Sequence, residues 1–322
     1  MRQILFLTAL VCAPLSLCAA DRTLSYEGRP SAIYFSPDSK TAVAGSWSGG
    51  ICAWDVESGN LVKDKTGLKG TFLLSPSLYA VIDEGNRTVA IWNLVAESRV
   101  QLFKDVDPSW LAVSHDAKQL AISSEEIQTV EIWNLATGER NQRLRDGAGA
   151  AAALVFSPND QALVSSNYDN DIRMWSTETG KLIAKAGEPT GTMFGAEFTP
   201  DGKQLIVAGL DESVYIRDAK TLAVIRQLKG QGEAIARLAI SPDGRTLVTS
   251  GRDPTDARNP AKVVIWDLPS GEIERLLQAA HPAYALAFSP DGKWLALTLN
   301  DKQITLLDFG APAAKRIIKA GD

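Results

Sequence analysis

The chain has 322 residues, 45% of them hydrophobic, with 33 basic against 38 acidic side chains and a net charge of −5 at pH 7. That apolar content supplies a sizeable core and excludes a disordered chain, and the length allows one large all-β domain or two ordinary ones. A mildly acidic balance without a basic stripe argues against nucleic acid as a partner, because phosphates need cations to neutralise them.

The first twenty residues stand apart. Met1-Arg2 gives a short positive start, Ile4 to Leu17 is almost unbroken apolar, and Cys18-Ala19-Ala20 puts small residues before a cut between Ala20 and Asp21. This is the pattern of a secretory signal peptide, too short and wrongly flanked for a spanning helix. Leu15-Ser16-Leu17-Cys18 resembles a lipobox, which makes a lipoprotein anchored at Cys18 the rival reading, although Leu17 stands where that signal wants Gly, Ala or Ser. The expectation is a signal peptide at 1–20 and one domain over 21–322, periplasmic or secreted and not membrane-spanning. Cleavage removes Arg2, so the charge becomes 32 − 38 = −6, and it removes Cys12 and Cys18, leaving Cys52. A single thiol forms neither an internal disulfide nor a thiolate metal site. Between Ile51 and Trp54 it reads as a small buried apolar residue.

From there the chain repeats itself. The clearest copy, residues 154–182, reads as strands at Leu154–Phe156, Ala162–Ser166 and Asp171–Trp175, with a fourth run at Lys181–Lys185. Turn chemistry closes each of the first three: Ser157-Pro158-Asn159-Asp160, Asn167–Asn170 and Thr177-Glu178-Thr179-Gly180. Further copies lie at 33–62, 72–100, 111–140, 197–224, 238–273 and 286–318. The corner prolines set the period, since 200 − 158 and 242 − 200 both give 42 for Pro158, Pro200 and Pro242. Pro fixes φ for a tight turn, Asp hydrogen-bonds its own backbone and Gly takes positive φ. His115 occupies the proline's place in the third copy, and Ser75-Pro76-Ser77-Leu78 is a degraded corner in the second. Each unit buries one face and needs a neighbour to cover it. Seven such units of about forty residues predict an all-β fold, a seven-bladed β-propeller of four-stranded antiparallel blades.

The runs ending Trp54-Asp55, Trp92-Asn93, Trp133-Asn134 and Trp266-Asp267, with their Ser-Pro-Asp-Gly corners, resemble WD repeats, particularly the divergent bacterial secreted kind, over roughly 24–319. The resemblance implies structural roles for Trp54, Trp92, Trp133, Trp175 and Trp266. It also implies a hydrogen-bonded set at Ser165, Asp169 and Trp175, which the family completes with a His. Gly147 stands near the place of that His in the fourth copy and Gly230-Gln231 in the sixth, while Arg217 and Leu307 replace the Trp in the fifth and seventh. The blades are therefore expected to rest more on packing than on this network. A net hydrogen bond contributes about 1 kcal/mol and a buried Leu or Val roughly 1.5–3 kcal/mol. The resemblance further implies that an N-terminal strand, Arg22–Glu27, completes the last blade. Lys315–Lys319 reads as the same strand, which leaves closure open between the two ends.

No Gly-x-Ser-x-Gly, His-Glu-x-x-His, phosphate loop or haem-attachment pair is present. His115 reads as a solvated corner residue and His281 as a shifted remnant of the family's structural His, so no catalytic residue, metal site or cofactor is expected. The loops between second and third strands carry Asp83-Glu84, Glu125-Glu126, Asp169 with Asp171, Asp211-Glu212, Asp253 with Asp256, and Asp301. Two readings stay open: an acidic rim attracting a basic partner or a cation, or turn-forming acids partly paired with Arg87, Arg252 and Lys302. The one lengthened loop, Arg252–Lys262, carries Arg252, Asp253, Asp256 and Arg258 and shares its face with His281 and Tyr284. Trp110 and Phe194 fall in equivalent connections and read equally as aromatic surface beside the channel mouth or as packing against neighbouring blades. These eight residues form the candidate binding set. The expected function is a non-catalytic scaffold binding another protein of the cell envelope, taken as a monomer. The alternative is a propeller enzyme, or a small-ligand or cation-binding protein of lactonase-like or quinoprotein-like type, using acids around the channel.

Overall fold

The computed structural model describes residues 22–309 apart from 27–29, 47–49, 66, 125, 127, 146–150, 168, 170, 188–192, 253–258, 280–281 and 301–302; the side chains of residues 152, 167, 193, 194, 299 and 300 are outside the description. Among the described residues there is no helix, and the strands form seven four-stranded antiparallel sheets. The N-terminal strand is β1 (Arg22–Ser25). Blade 1 holds β2 (Ala32–Phe35), β3 (Thr41–Ser46), β4 (Gly50–Asp55) and β5 (Leu61–Lys65). Blade 2 holds β6 (Thr71–Leu73), β7 (Leu78–Asp83), β8 (Thr88–Asn93) and β9 (Ser98–Lys104), and blade 3 holds β10 (Trp110–Val113), β11 (Gln119–Ser124), β12 (Thr129–Asn134) and β13 (Arg140–Leu144). Blade 4 holds β14 (Ala151–Phe156), β15 (Ala162–Asn167), β16 (Asp171–Ser176) and β17 (Leu182–Gly187). Blade 5 holds β18 (Met193–Phe198), β19 (Gln204–Gly209), β20 (Ser213–Asp218) and β21 (Val224–Lys229). Blade 6 holds β22 (Ala234–Ile240), β23 (Thr246–Arg252), β24 (Ala261–Asp267) and β25 (Glu272–Ala279). The last sheet runs β1-β28-β27-β26, with β26 (Leu286–Phe288), β27 (Trp294–Asn300) and β28 (Gln303–Asp308).

That last order settles the closure. The N-terminal strand pairs directly with β28, from Arg22 opposite Leu306 to Ser25 opposite Gln303, and is the outer strand of blade 7. The rival run at 315–319 lies outside the described residues.

Two pieces of local chemistry recur in the blades. At the corner between first and second strands a hydroxyl donates to the carboxylate two residues on and accepts from the amide that opens the second strand. Ser36 Oγ to Asp38 Oδ1 is 2.6 Å and Thr41 N to Ser36 Oγ is 2.9 Å. The same pair of bonds is made by Ser114, Thr199, Ser241 and Ser289. Proline makes none of them, which is why His115 replaces it without loss of the corner. Between third and outer strands the Asp or Asn after the Trp caps the turn: Asp55, Asn93, Asn134, Asp218 and Asp267 each accept backbone amides from two or three residues on. A register shift sits just before Trp54, Trp92, Trp133, Trp175, Arg217 and Trp266. The β28–β1 pairing shows none, because its outer strand arrives from the other end of the chain.

Second and third strands are covered on both sides and read as near-continuous burial; outer strands such as β5 and β17 are mostly exposed. The core lies between blades. One cluster joins Val164, Ile172 and Met174 of blade 4 to Phe198, Leu205 and Val207 of blade 5, and another joins Leu24, Trp294 and Leu306 of blade 7 to Phe35, Ala42 and Trp54 of blade 1. Cys52 is buried as expected.

The polar network divides by blade. Trp175 Nε1 donates to Ser165 Oγ at 3.1 Å. In blade 6 Trp266 Nε1 donates to Thr249 Oγ1 at 2.8 Å, and Thr249 Oγ1 donates to Gln231 Oε1 at 2.6 Å, so Gln231 supplies the acceptor that the family takes from His. In blades 1 to 3 the position matching Ser165 and Thr249 holds Ala44, Val81 and Ile122, whose side chains offer the Trp no acceptor. Asp169 joins neither Ser165 nor Trp175. Its carboxylate grips the buried Arg173 at 3.1 and 2.6 Å, and these bonds hold its pKa below the usual carboxylate range. We expect Trp175→Ala to cost about 3 kcal/mol, from lost burial and a cavity. Asp169→Ala is expected to cost about 1.5 kcal/mol, because Asp171 remains 3.3 Å from Arg173. Equal shifts of the two variants in a thermal melt would contradict this ordering.

Candidate interaction face

Antiparallel order places the starts of the inner strands and the loops between second and third strands at one end of the ring. The Ser–Asp corners and Asx turns occupy the other. At that other end the corners knit neighbouring blades: Asp160 accepts from the amides of His115 and Asp116, and the Asp291 amide donates to Ser39 Oγ across the closure. His115 is exposed, with its ring Nδ1 2.8 Å from Asp160.

On the loop face the candidate binding residues do not form one group. Trp110 opens β10, is half-buried, and meets Phe72 of blade 2 edge-on at 5.7 Å between ring centres. With Phe72, Ile82, Pro108, Ser109 and Leu111 it lines a depression of about 190 Å³. Arg252, the last residue of β23, and Tyr284, just before β26, are half-buried and both act electrostatically on Arg237 of β22. Burial is the main cause of the lowered Arg237 pKa. Phe194 lies in β18 with its side chain outside the description, and Asp253, Asp256, Arg258 and His281 lie outside the described residues altogether.

The rim acids are largely engaged. Asp169 and Asp171 bind Arg173, Asp171 also binds Lys185, Asp211 accepts from the Tyr215 hydroxyl, and Glu126 pairs with Arg87 at 2.7 Å. Asp253, Asp256 and Asp301 fall outside the described residues. Among the described residues no His, Cys, Asp and Glu cluster has the makings of a metal site, and no helix is long and apolar enough to cross a membrane.

Sequence reasoning missed a set facing the axis. Tyr34 of blade 1 feels the charges of Glu197 in blade 5 and Arg237 in blade 6, and Tyr34 and Glu197 hold the same register position on their inner strands, opposite Val43 and Ile206. Burial pushes the Glu197 carboxyl up to about 8, against a smaller opposing hydrogen bond from the Ile240 amide. Laying the seven inner strands over one another was the available signal: Glu197 stands where blades 3, 4, 6 and 7 carry Ala112, Val155, Ala239 and Ala287.

The architecture defines a seven-bladed β-propeller, a class whose radial sheets leave the two ends of the ring for recognition. The family model for the WD domain, G-beta repeat, matches residues 20–55, 142–176 and 222–255, while a comparison with curated proteins finds no match. Each matched stretch runs from an outer strand into the next blade: β1 to β4, the end of β13 to β16, and β21 to β23. Repeat and blade are thus out of phase, which is why the first strand of the chain belongs to the last sheet. The fold is a seven-bladed β-propeller with three stretches that match the WD-repeat model, and WD-repeat propellers generally act as protein-interaction scaffolds.

Proposed function

We propose that the protein is a non-catalytic scaffold, exported through residues 1–20 to the periplasm or beyond, which binds another envelope protein on its loop face. The observation that carries this reading is the depression under Trp110, on the end of the ring where the corners and turns do not close the surface. The opposite end spends its polar groups on its own turns. The test is capture from envelope extract with the purified protein, followed by mass spectrometry. A partner retained by the native protein and lost with Trp110→Ala supports the reading. A partner list unchanged by that variant removes Trp110 from the site, and no reproducible partner removes the scaffold role. The mature N-terminus decides the export route: Asp21 supports signal cleavage, and a lipid-modified Cys18 supports anchoring.

A second reading, binding of a small ligand at the axis, is favoured by the mutual electrostatic influence of Tyr34, Glu197 and Arg237 on three inner strands. A saturable rise in melting temperature with metals, sugars or lactones supports it.

A further inference from the structure

We infer that the depression between blades 2 and 3 seats one bulky apolar side chain of a partner polypeptide whose neighbouring residues are Lys or Arg. This rests on the reading of the loop face as protein-binding and specifies what it binds.

The depression is a product of an incomplete blade. The inner strand β6 has three residues. The chain turns into it at Gly70, whose φ is +67° and whose added Cβ would stand 2.6 Å from the Ile82 carbonyl oxygen. Ile82 N also donates to Gly70 O at 2.8 Å, so the turn is pinned to the second strand, and Phe72 and Ile82 are the blade-2 side chains that line the depression. Between the inner strands β6 and β10 a gap remains, crossed by the Phe72–Trp110 ring contact. Trp110 leans into that gap without filling it.

The lining suits an apolar guest. Ser109 is satisfied within the protein, its hydroxyl lying 3.1 Å from the Ser123 carbonyl oxygen. The other lining residues are aliphatic, aromatic or proline. A half-buried Trp and Phe around a concave site are what an anchor residue packs against most favourably. Among the described residues the Trp110 indole N–H has no acceptor, so it is free to donate to a guest.

The surrounding charge selects the guest's neighbours. Asp83, Glu84, Asp105, Asp107 and Glu126 are exposed on this sector, against Lys69, Arg87 and Lys104. Glu126 occupies Arg87, which also feels Asp105 and Asp107, and Asn86 occupies Asp83. The side chains of Glu84, Asp105 and Asp107 make no hydrogen bond or close ion pair among the described residues. Elsewhere on the rim Arg173, Lys185 and Tyr215 engage Asp169, Asp171 and Asp211. An acidic collar around an apolar socket attracts a cationic segment and repels an acidic one, which disfavours a second copy of this net-negative chain.

The test is selection of random heptapeptides displayed on phage against the purified protein, then titration of a selected peptide. Enrichment of Leu, Ile, Phe or Trp beside Lys or Arg is expected. Trp110→Ala should weaken such a peptide tenfold or more. Asp105→Asn with Asp107→Asn, both exposed and harmless to folding, should weaken it severalfold and flatten its salt dependence. Acidic consensus peptides, or affinity unchanged in both variants, overturn the inference and leave the broader scaffold reading standing. Failure to enrich any peptide overturns the inference, and joined to a negative capture from envelope extract it overturns the scaffold reading as well.

Discussion

Leu24→Asp is expected to cost about 5 kcal/mol, while Thr23→Asp, one residue earlier on the same strand, costs under about 1 kcal/mol. Leu24 is 1% exposed and packs in a cluster shared by blades 7 and 1, whereas Thr23 faces solvent. The aspartate loses the burial of a leucine and places a carboxylate among Phe35, Trp294 and Leu306, while the nearby Arg22 is held by Val56 O and the Trp294 ring. The strand also carries the join between the two ends of the ring. Arg22 donates to Val56 O at 2.6 Å and lies over the Trp294 ring at 5.3 Å, and the hydroxyl of the following Tyr26 donates to Gly50 O at 2.8 Å. Burial pushes that hydroxyl up to about 12, so it remains a donor throughout the physiological range. When β1 lets go, blade 7 loses its outer strand and its seam to blade 1 together. Urea unfolding of the two variants checks this, and equal midpoints would mean that the ring closes by other means.

The repeat was legible because its signals are local. The Ser–Asp corner and the Asp or Asn after the Trp each make bonds within five residues, so the residues that form a turn are the residues that announce it. Blade 2 was obscure for the same reason: Ser75 accepts only from the nearby Ser77 and Leu78 amides, and the corner is shorter, with Leu73 opposite Tyr79 where blade 1 sets Phe35 opposite Ala42. Closure was not legible, since Arg22–Glu27 and Lys315–Lys319 have the same strand character and pairing across the whole chain leaves no local mark. Nor was Gln231 as the stand-in for the family's His, because that role depends on Thr249 eighteen residues away. Trp110, expected in a connection, is the first residue of β10, and its contact with Phe72 of the neighbouring blade left no mark in its own repeat. The axial set was hidden by averaging: one Glu in a half-apolar inner strand looks like an ordinary exposed position until the seven strands are laid in register.

That Glu gives the protein a pH dependence opposite to the usual carboxylate. Glu197 is half-buried on its inner strand, Tyr34 and Arg237 lie on β2 and β22, Tyr284 and Arg252 approach from blades 7 and 6, and no cation neutralises it closely enough to oppose its burial. Its pKa is raised to about 8 in the folded protein, while the unfolded chain releases the proton near the ordinary glutamate value. Between those limits the folded state holds one proton more than the unfolded state, so stability falls as pH rises. The slope approaches about 1.4 kcal/mol per unit and levels off above pH 8. Glu197→Gln keeps a carbonyl oxygen to accept from the Ile240 amide and has nothing to ionise. The variant should match the native protein near pH 4 and exceed it by about 5 kcal/mol at pH 9, read from urea unfolding across that range. Arg237→Met, by contrast, removes a buried cation without touching this proton and should leave the slope in place. Parallel pH profiles for native protein and Glu197→Gln would show that the carboxylate is ionised when folded, with water reaching it along the axis.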